Sequence, residues 1–472
     1  MNEQELLDRV MGAARALAGE AAREAAREVA AAGAREVGAA AADAYGTASV
    51  CARGVDAREA DARGADVRKD RLSRLEGLFR ERFGEPQGPA VLASAPGRLE
   101  LAGNHTDHQG GCVISAAIED RAWALAAPNG RDEIRLYMEG FGLACVDLSD
   151  PAWMDPVAAE RGQSVSMARG MAASFARKGG LLSGFDAVTV SDIPVGFGVS
   201  SSAAFEMLMG ACVEGLFGCS PEEVDRVALA LTGMEVERAY FGKPSGAQDQ
   251  LTSALGGIVS MDFSTEIPLA EPVAFNLEEC AYVPCLIDSL CDHSLYNDEF
   301  ASIPLDMCEV AEWFGVQLLE EIDRTEFFAR LPELRSALGD GKALRALHYF
   351  DETRRVKAQR ACLESDDFEG FLAHARMSGT SSAQYLQNVS PKADGTGGYQ
   401  PAMLILALCA HHLADAGAWR IHGGGFGGSV LAFVPRERIG DFVAALNASL
   451  GYEACTLVGV GRQGVHWERI RG

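Results

Sequence analysis

Residues 193–206 read IPVGFGVSSSAAFE, a β-like run that passes through two glycines and three serines into an apolar helical pattern. Small residues let the backbone come close to an anion, and glycine reaches conformations closed to other side chains. The amides and dipole of a helix N-terminus then hold negative charge, and serine hydroxyls add donors. The segment reads as a phosphate cradle. A glycine turn with serines capping a core helix is the plainer alternative and would win for a bare Gly-x-Gly. Three consecutive serines before Ala-Ala tip the balance toward phosphate.

This cradle is not one of the two commonest kinds. No GxxxxGK[ST] string occurs in the chain, which excludes a Walker A loop. Gly423 to Gly428 formally satisfies GxGxxG, but it lies between the β-like runs WRIH and SVLAFVP, whereas a dinucleotide fingerprint must open a helix.

Working outward, residues 90–199 hold short β-like runs, VLASA, WALAA, EIRLYM and FDAVTVSDIPV, separated by Gly, Pro and Asp turn residues. After Ser200, AAFEMLMGACVEGLFG is a helix pattern, and a second helical stretch runs to about Arg238. Beyond about Asp288 the character changes to helical runs around 306–321, 342–363, 368–379 and 402–416. The glycine cluster with its two flanking runs and a last pair of short β-like runs follow. The pattern predicts an α+β protein with a strand-rich N-terminal lobe and a helix-rich C-terminal lobe, divided near residue 290. Three parts are expected: an extension over 1–70, a first domain over 71–290 and a second over 291–472.

From about Glu20 to Asp70 the sequence is biased toward Ala, Arg, Glu and Asp, with the near-repeat AAREAARE. Alanine and alternating Glu and Arg favour helix, yet such a helix has little apolar area to bury and packs weakly. It reads as a solvated, partly helical extension, with an oligomerisation arm as the alternative. The segment DRLSRLEGLFRERFG then sets Leu72, Leu75, Leu78, Phe79 and Phe83 at helical spacing, so the folded body starts about there.

A chain of 472 residues exceeds what one hydrophobic core supports and suits two lobes with a cleft between them. Hydrophobic residues at 48% and charged ones at 23% argue against wholesale disorder. The formal charge of −25 repels phosphodiester backbones and anionic lipid, so nucleic acid and membrane surfaces are not expected as partners. The first 70 residues carry 10 bases and 13 acids, which leaves −22 on the remainder, so the acidity belongs to the body. No apolar run reaches bilayer length, and the start MNEQELLDRVMGAARALAGE carries acids where a secretory leader wants bases. The 12 cysteines lack CxxC or zinc-ligand spacing. Together these predict a cytoplasmic protein.

Two further segments carry polar chemistry. Residues 95–111, APGRLELAGNHTDHQGG, read as a turn followed by Arg98 and a polar cluster around His105 and Asp107. Directional acceptors and donors on a loop are what discrimination between hydroxyl stereochemistries demands. His105 and His108 as metal ligands, or an ordinary polar turn, are the alternatives. Residues 243–257, GKPSGAQDQLTSALGG, place Asp249 between a glycine-bearing loop and apolar helix-like residues, where a capping aspartate is the plain reading.

Taken with HGGGFGGSVLAF at residues 422–433, these segments resemble the motif set of the GHMP kinases, and the segment around Arg98 resembles galactokinases in particular. The family's approximate GRxNLIGEHTDY stands here as GRLELAGNHTDH, its PxGxGLSSSAA as residues 194–204, its GxGFGG as residues 423–428, and its GxxxGxxDQ as residues 242–250. All four keep the family's order, and the resemblance covers roughly residues 70–472.

The resemblance implies a two-lobed fold with the active site in the cleft and an ATP-dependent sugar 1-kinase, most like galactokinase. Asp249 would face the sugar C1 hydroxyl as general base or orienting carboxylate, with Arg98 as its electrostatic partner. Gly196, Gly198, Ser200, Ser201, Ser202 and Ala203 would cradle the ATP phosphates, and Mg²⁺ is implied with Ser202 and Glu206 as ligands. His105 and Asp107 match sugar-binding positions, and Gly246 a backbone contact to the sugar. Asn104 stands at a further substrate position where galactokinases carry glutamate. Glu100 stands for the signature's asparagine, His108 for its tyrosine, Phe300 for an expected tyrosine and Ser164 for an expected tryptophan. Asn104 and Phe300 keep open a relative acting on N-acetylgalactosamine or arabinose. A non-catalytic sugar and ATP sensor on the same scaffold is the reading from a different class.

Overall fold

All 13 residues of Ala90–Ala102 are buried, so this strand shows none of the alternation of a half-solvated one. A computed structural model describes residues 57–194, 196–243, 245–291, 296–390 and 400–470. Most of the expected extension, residues 1–56, lies outside the described residues. The first described helix, α1, is Ala57–Phe83. Residues 75–472 form one unit, to which the rest of this description applies.

Ala90–Ala102 is β1, and it runs straight through the segment expected to be a turn. Pro96 and Gly97 punctuate the sequence, but antiparallel pairing with β2 (Cys112–Pro128) overrides them at the cost of register shifts at Pro96/Arg98 and Glu100/Ala102. Such bulges re-aim side chains, and the positions affected here include Arg98 and Glu100. Next come the hairpin β3 (Glu133–Met138) and β4 (Gly142–Asp147), helix α2 (Ser164–Arg177) and β5 (Phe185–Ser191). Helix α3 (Ser201–Phe217) leaves the glycine-serine bend, and α4 (Arg226–Val236), α5 (Gln248–Leu255), β6 (Ile258–Asp262) and β7 (Leu269–Pro272) follow.

The second half begins with β8 (Tyr282–Asp288) and continues through α6 (Asn297–Phe314), α7 (Arg324–Leu338), α8 (Asp340–Glu364), α9 (Phe368–Ser381) and α10 (Pro401–Leu413). It closes with β9 (Ala418–Ile421), β10 (Ser429–Pro435), α11 (Ile439–Leu450), β11 (Cys455–Leu457) and β12 (His466–Ile470). One sheet runs β12-β1-β2-β5-β3-β4, with β6 and β7 branching from β2, and the other runs β11-β8-β10-β9. The final strand therefore returns to β1 of the first sheet, with Ala90 opposite Ile470.

Three helices had no counterpart in the sequence reading. α2 is made largely of small residues, and Ser164, Ser166, Gly170 and Ser174 dilute its helix signal, so its composition did not announce it. α7 carries Pro332 inside it, a residue that argues against helix in isolation, and α11 follows directly on a strand. α3 lies on the first sheet at Gly215, where a Cβ would stand 2.6 Å from Val91 and 2.8 Å from Trp467. That close approach buries Trp467 and fixes the direction in which α3 presents its N-terminus.

Candidate active site

The bend that opens α3 is held in a demanding conformation. Gly196 and Gly198 have φ of 88° and 69°, and Ser200, which is not a glycine, has φ of 57°. A left-handed residue with a side chain costs about 1–3 kcal/mol and persists where surrounding contacts impose it. Ser200 does not spend its hydroxyl on capping α3, as the plainer reading would require. Its Oγ donates instead to Asp249 Oδ2 at 2.5 Å. Ser201 is exposed, Ser202 half-buried and Ala203 buried, so along this turn the hydroxyls give way to backbone.

Asp249 lies in the first turn of α5, and β1 brings Arg98 to it. Arg98 Nε donates to Asp249 Oδ1 at 2.7 Å and Nη1 to the Gly198 carbonyl at 2.5 Å. The Arg98 backbone N–H also bonds the Val199 carbonyl at 3.0 Å. One arginine thus ties the carboxylate to the glycine-serine bend. Burial alone would raise the Asp249 carboxyl, but the charges of Arg98 and Lys243 with the hydrogen bonds from Ser200 and Arg98 outweigh it and hold it below the ordinary carboxylate range. The group is a firmly ionised acceptor and a weak base.

The expected acceptor side divides. Asp107 stands directly against Gly246, where a Cβ would come within 1.8 Å of Oδ2. Burial raises the Asp107 carboxyl, and the negative charge of Asp249 adds to that effect. His105 takes a left-handed φ of 57° and donates from Nε2 to the Gly424 carbonyl at 2.9 Å, which leaves Nδ1 as an acceptor. Burial pushes it down to about 3, so it is neutral. Phe300 packs its ring on His105 with centroids 5.3 Å apart and would collide with any side chain at Gly424.

Asn104 is not brought to this group. It is wholly buried, and its amide nitrogen donates to Glu100 Oε1 at 3.1 Å and to the Gly423 carbonyl at 2.6 Å. Its amide oxygen accepts from Asn388 at 2.8 Å and Ser382 at 3.2 Å. With every polar atom engaged inside the protein, Asn104 acts as a core linker between β1 and the second half of the chain. Glu100 is similarly enclosed and paired with the buried Arg420 at 2.6 Å.

The expected metal pair is also rearranged. Glu206 is wholly buried, accepts from Gln250 at 2.9 Å with one oxygen, and has no partner for the other. Burial and then the nearby Glu237 push its carboxyl well above the ordinary range, which weakens it as a ligand for a divalent cation. The hydroxyl of Ser202 goes instead to Glu237 Oε1 at 3.0 Å, which Lys243 Nζ also approaches at 3.0 Å. Mg²⁺ needs only one or two protein oxygens beside substrate phosphates, and of the expected pair the half-buried Ser202 hydroxyl fits that requirement, whereas Glu237 is wholly buried with both oxygens engaged. Among the described residues no group of three or more His, Cys, Asp or Glu side chains is placed to hold a metal ion, which also leaves His105 and His108 without further ligands. In the sequence Glu237 is one acid among several on a helix, and nothing local distinguishes it.

The third glycine motif buttresses the bend. His422 Nε2 accepts the Glu100 backbone N–H at 3.0 Å, so its proton sits on Nδ1, directed at the Phe197 carbonyl 3.3 Å away. Ser429 Oγ donates to the same carbonyl at 2.7 Å. Burial, then the charges of Arg98 and Arg420, push His422 down to about 3 and keep it neutral.

Residues 77–128 match the galactokinase galactose-binding signature, and residues 166–257 match the GHMP kinases N terminal domain. The first match spans Arg98 and Asp107, and the second spans the glycine-serine bend and Asp249. Among solved structures, this chain is similar to Lactococcus lactis galactokinase complexed with galactose, at 25% identity over 84% of this chain and 100% of that one, with a TM-score of 0.70. A D-glycero-D-manno-heptose 1-phosphate kinase from Bacteroides thetaiotaomicron, at 16% identity, covers 81% of this chain and 100% of its own with a TM-score of 0.55. The mevalonate kinase of L. major in complex with R-mevalonate, also at 16%, covers 80% of this chain and 99% of its own with a TM-score of 0.53. The last two likenesses speak for the α+β fold. The two family matches and the galactokinase likeness indicate a phosphotransferase of the sugar-kinase type.

Proposed function

We propose that this chain transfers the γ-phosphoryl group of ATP to the C1 hydroxyl of galactose, giving galactose 1-phosphate and ADP. The observation that carries the reading is the meeting of Arg98, Ser200 and Asp249 at the glycine-serine bend, with Asp107 and Gly246 beside them. The bend, through the amides and hydroxyls of Gly196, Gly198 and Ser200 to Ala203, receives the ATP phosphates. Asp249 accepts a hydrogen bond from the C1 hydroxyl and fixes its oxygen for in-line attack. A carboxyl held low by Arg98 is a poor proton abstractor, so orientation and charge stabilisation carry more of the rate than base strength.

Asp107, the free Nδ1 of His105 and the Gly246 backbone receive the sugar hydroxyls. The reaction implies Mg²⁺, which when bound neutralises charge on the polyphosphate, and the Ser202 hydroxyl would be its protein ligand. We also propose the division of the folded body near residue 290, with the sugar and phosphate motifs in its first part, and a cytoplasmic setting. Among the described residues no helix is long and apolar enough to cross a membrane.

A second reading, a kinase for N-acetylgalactosamine or arabinose, is favoured by two observations. Asn104 is enclosed rather than offered to a ligand, and Phe300 brings a bare ring to His105. A panel of galactose, N-acetylgalactosamine and arabinose with ATP and Mg²⁺, read by ADP release, tests the assignment. Turnover of galactose at the highest kcat/KM is expected. Turnover of another sugar with none of galactose would move the substrate while keeping the reaction.

A further inference from the structure

Glu237 is wholly buried, yet four side chains converge on its two oxygens. Ser202 Oγ and Lys243 Nζ each lie 3.0 Å from Oε1, Gln250 Nε2 donates to Oε2 at 3.0 Å, and Ser245 Oγ donates to Oε2 as well. The carboxylate needs this company to be buried at all. Lys243 is in a different position from the other donors. Its side chain is 42% exposed against 0% for Glu237, so the ammonium closes the open end of the cluster. Among the described residues its hydrogen bonds go to Glu237 alone, which uses one of three N–H donors.

The ammonium is also well placed. Two 3.0 Å approaches to one oxygen keep Nζ and Ser202 Oγ within 6 Å of each other, and Ser202 lies in the first turn of α3 directly after the bend. The Lys243 charge is among those that hold the Asp249 carboxyl low, so it reaches the other side of the site too. Its backbone is fixed by Gly242 at φ 91°, by its own N–H to the Glu237 carbonyl at 3.0 Å and by the Ser245 N–H to its carbonyl at 3.0 Å. Arg98 meanwhile spends Nε on Asp249 and Nη1 on Gly198.

We propose that Lys243 is a further catalytic cation of this site, one that turns its spare donors to the terminal phosphate oxygens of the bound nucleotide beside Ser202. The proposal rests on the kinase reading above. A chain of net charge −25 must bind a polyanion through local cations, and charge on the transferred group is spread over its outer oxygens in the transition state. A lysine that only neutralised Glu237 would be indifferent to the nucleotide.

The test uses the full chain with Lys243→Met and Lys243→Arg. Binding of AMP-PNP and of ADP, each with Mg²⁺, is measured by titration calorimetry, and kcat and both KM values by ADP release. Lys243→Met is expected to lose about 10- to 100-fold in AMP-PNP affinity and clearly less in ADP affinity, as one charge-assisted contact to the terminal phosphate implies. Its kcat should fall on the order of 10²-fold with the sugar KM unchanged, and Lys243→Arg should recover most of both losses. AMP-PNP affinity and kcat within twofold of wild type in Lys243→Met, or equal losses for the two nucleotides, overturn the proposal.

Where Lys243→Met fails to fold because Glu237 has lost its counter-charge, Glu237→Gln is compared with the Lys243→Met/Glu237→Gln double variant. The double variant must still bind AMP-PNP about tenfold more weakly than Glu237→Gln alone, and equal affinity sinks the proposal. Wild-type protein that binds neither nucleotide defeats the kinase reading and this inference together. Normal wild-type binding that Lys243→Met leaves untouched defeats this inference only.

Discussion

Arg98 and Asp249 are 151 positions apart in the chain and meet at 2.7 Å, both largely shielded from water. The contact joins a bulged strand to the first turn of a short helix, and the same guanidinium also grips the bend that opens α3. Removing either partner should therefore be felt in stability, in proton affinity and in turnover, by amounts that can be separated.

Arg98→Met leaves a buried carboxylate without its counter-ion, a change that typically costs about 3–5 kcal/mol. The sign follows from the lowered carboxyl. Stabilisation from the pair is complete above the unfolded aspartate value of about 3.9 and is lost as pH falls through the lower folded value. At pH 7 the variant should thus show the whole deficit in a denaturant melt. The acid limb of its kcat/KM profile should also move to higher pH, because the first charge holding Asp249 down has gone. An unmoved acid limb would mean that Asp249 does not set it.

Acid should destabilise this protein early. His105 and His422 are pushed down to about 3 and His108 to about 4 by burial, against about 6.5 in an unfolded chain. The unfolded state therefore takes up more protons as pH falls from about 6.5 toward 4, and stability drops across that window. Among the described residues neither ring nitrogen of His108 has a hydrogen-bond partner, so His108→Phe should keep the fold. It should lessen the pH slope of unfolding free energy by up to about 1.4 kcal/mol per pH unit. Denaturant melts at half-unit steps between pH 7.5 and 4.5 would reveal the change, and an identical slope would rule out proton uptake at His108.

Gly246→Ala inserts a methyl group where the Asp107 carboxylate already stands, at 1.8 Å. Asp107 must move, while the bend and the Arg98 contact have no reason to. The sugar KM is expected to rise about tenfold or more with the ATP KM within twofold, since displacing one charge-assisted acceptor costs roughly 1.5–3 kcal/mol. Equal rises in both KM values would show that Asp107 does not belong to the acceptor side alone.

The glycine-serine bend was legible because its chemistry is local, with glycines for left-handed turns, hydroxyls for donors and a helix start to concentrate them. Motif membership singled out Arg98, Asp107, Gly246 and Asp249, and the fold sets Arg98 against Asp249 and Asp107 against Gly246. Asn104 was misjudged because motif position says nothing about the direction of a side chain. Its neighbours Glu100, Gly423, Ser382 and Asn388 come from four different parts of the chain. Glu206 and Glu237 illustrate the same limit. Both are acids on helices, and only their packing against Gln250, Ser202 and Lys243 decides which is half-partnered and which is fully paired. In the fold, α2 escaped notice because its serines and Gly170 dilute the helix signal, and the 90–102 strand because long-range pairing outweighs Pro96 and Gly97.

The central claim is that Asp249 acts on the acceptor hydroxyl while the bend holds ATP, and Asp249→Asn tests it most directly. The side-chain shape and the contact with Ser200 can persist in the amide, while the charge opposite Arg98 disappears. Nucleotide affinity, measured with AMP-PNP, should stay within a few-fold of wild type while kcat with galactose falls on the order of 10² to 10⁴. A variant that turns over galactose at the wild-type rate would contradict the account.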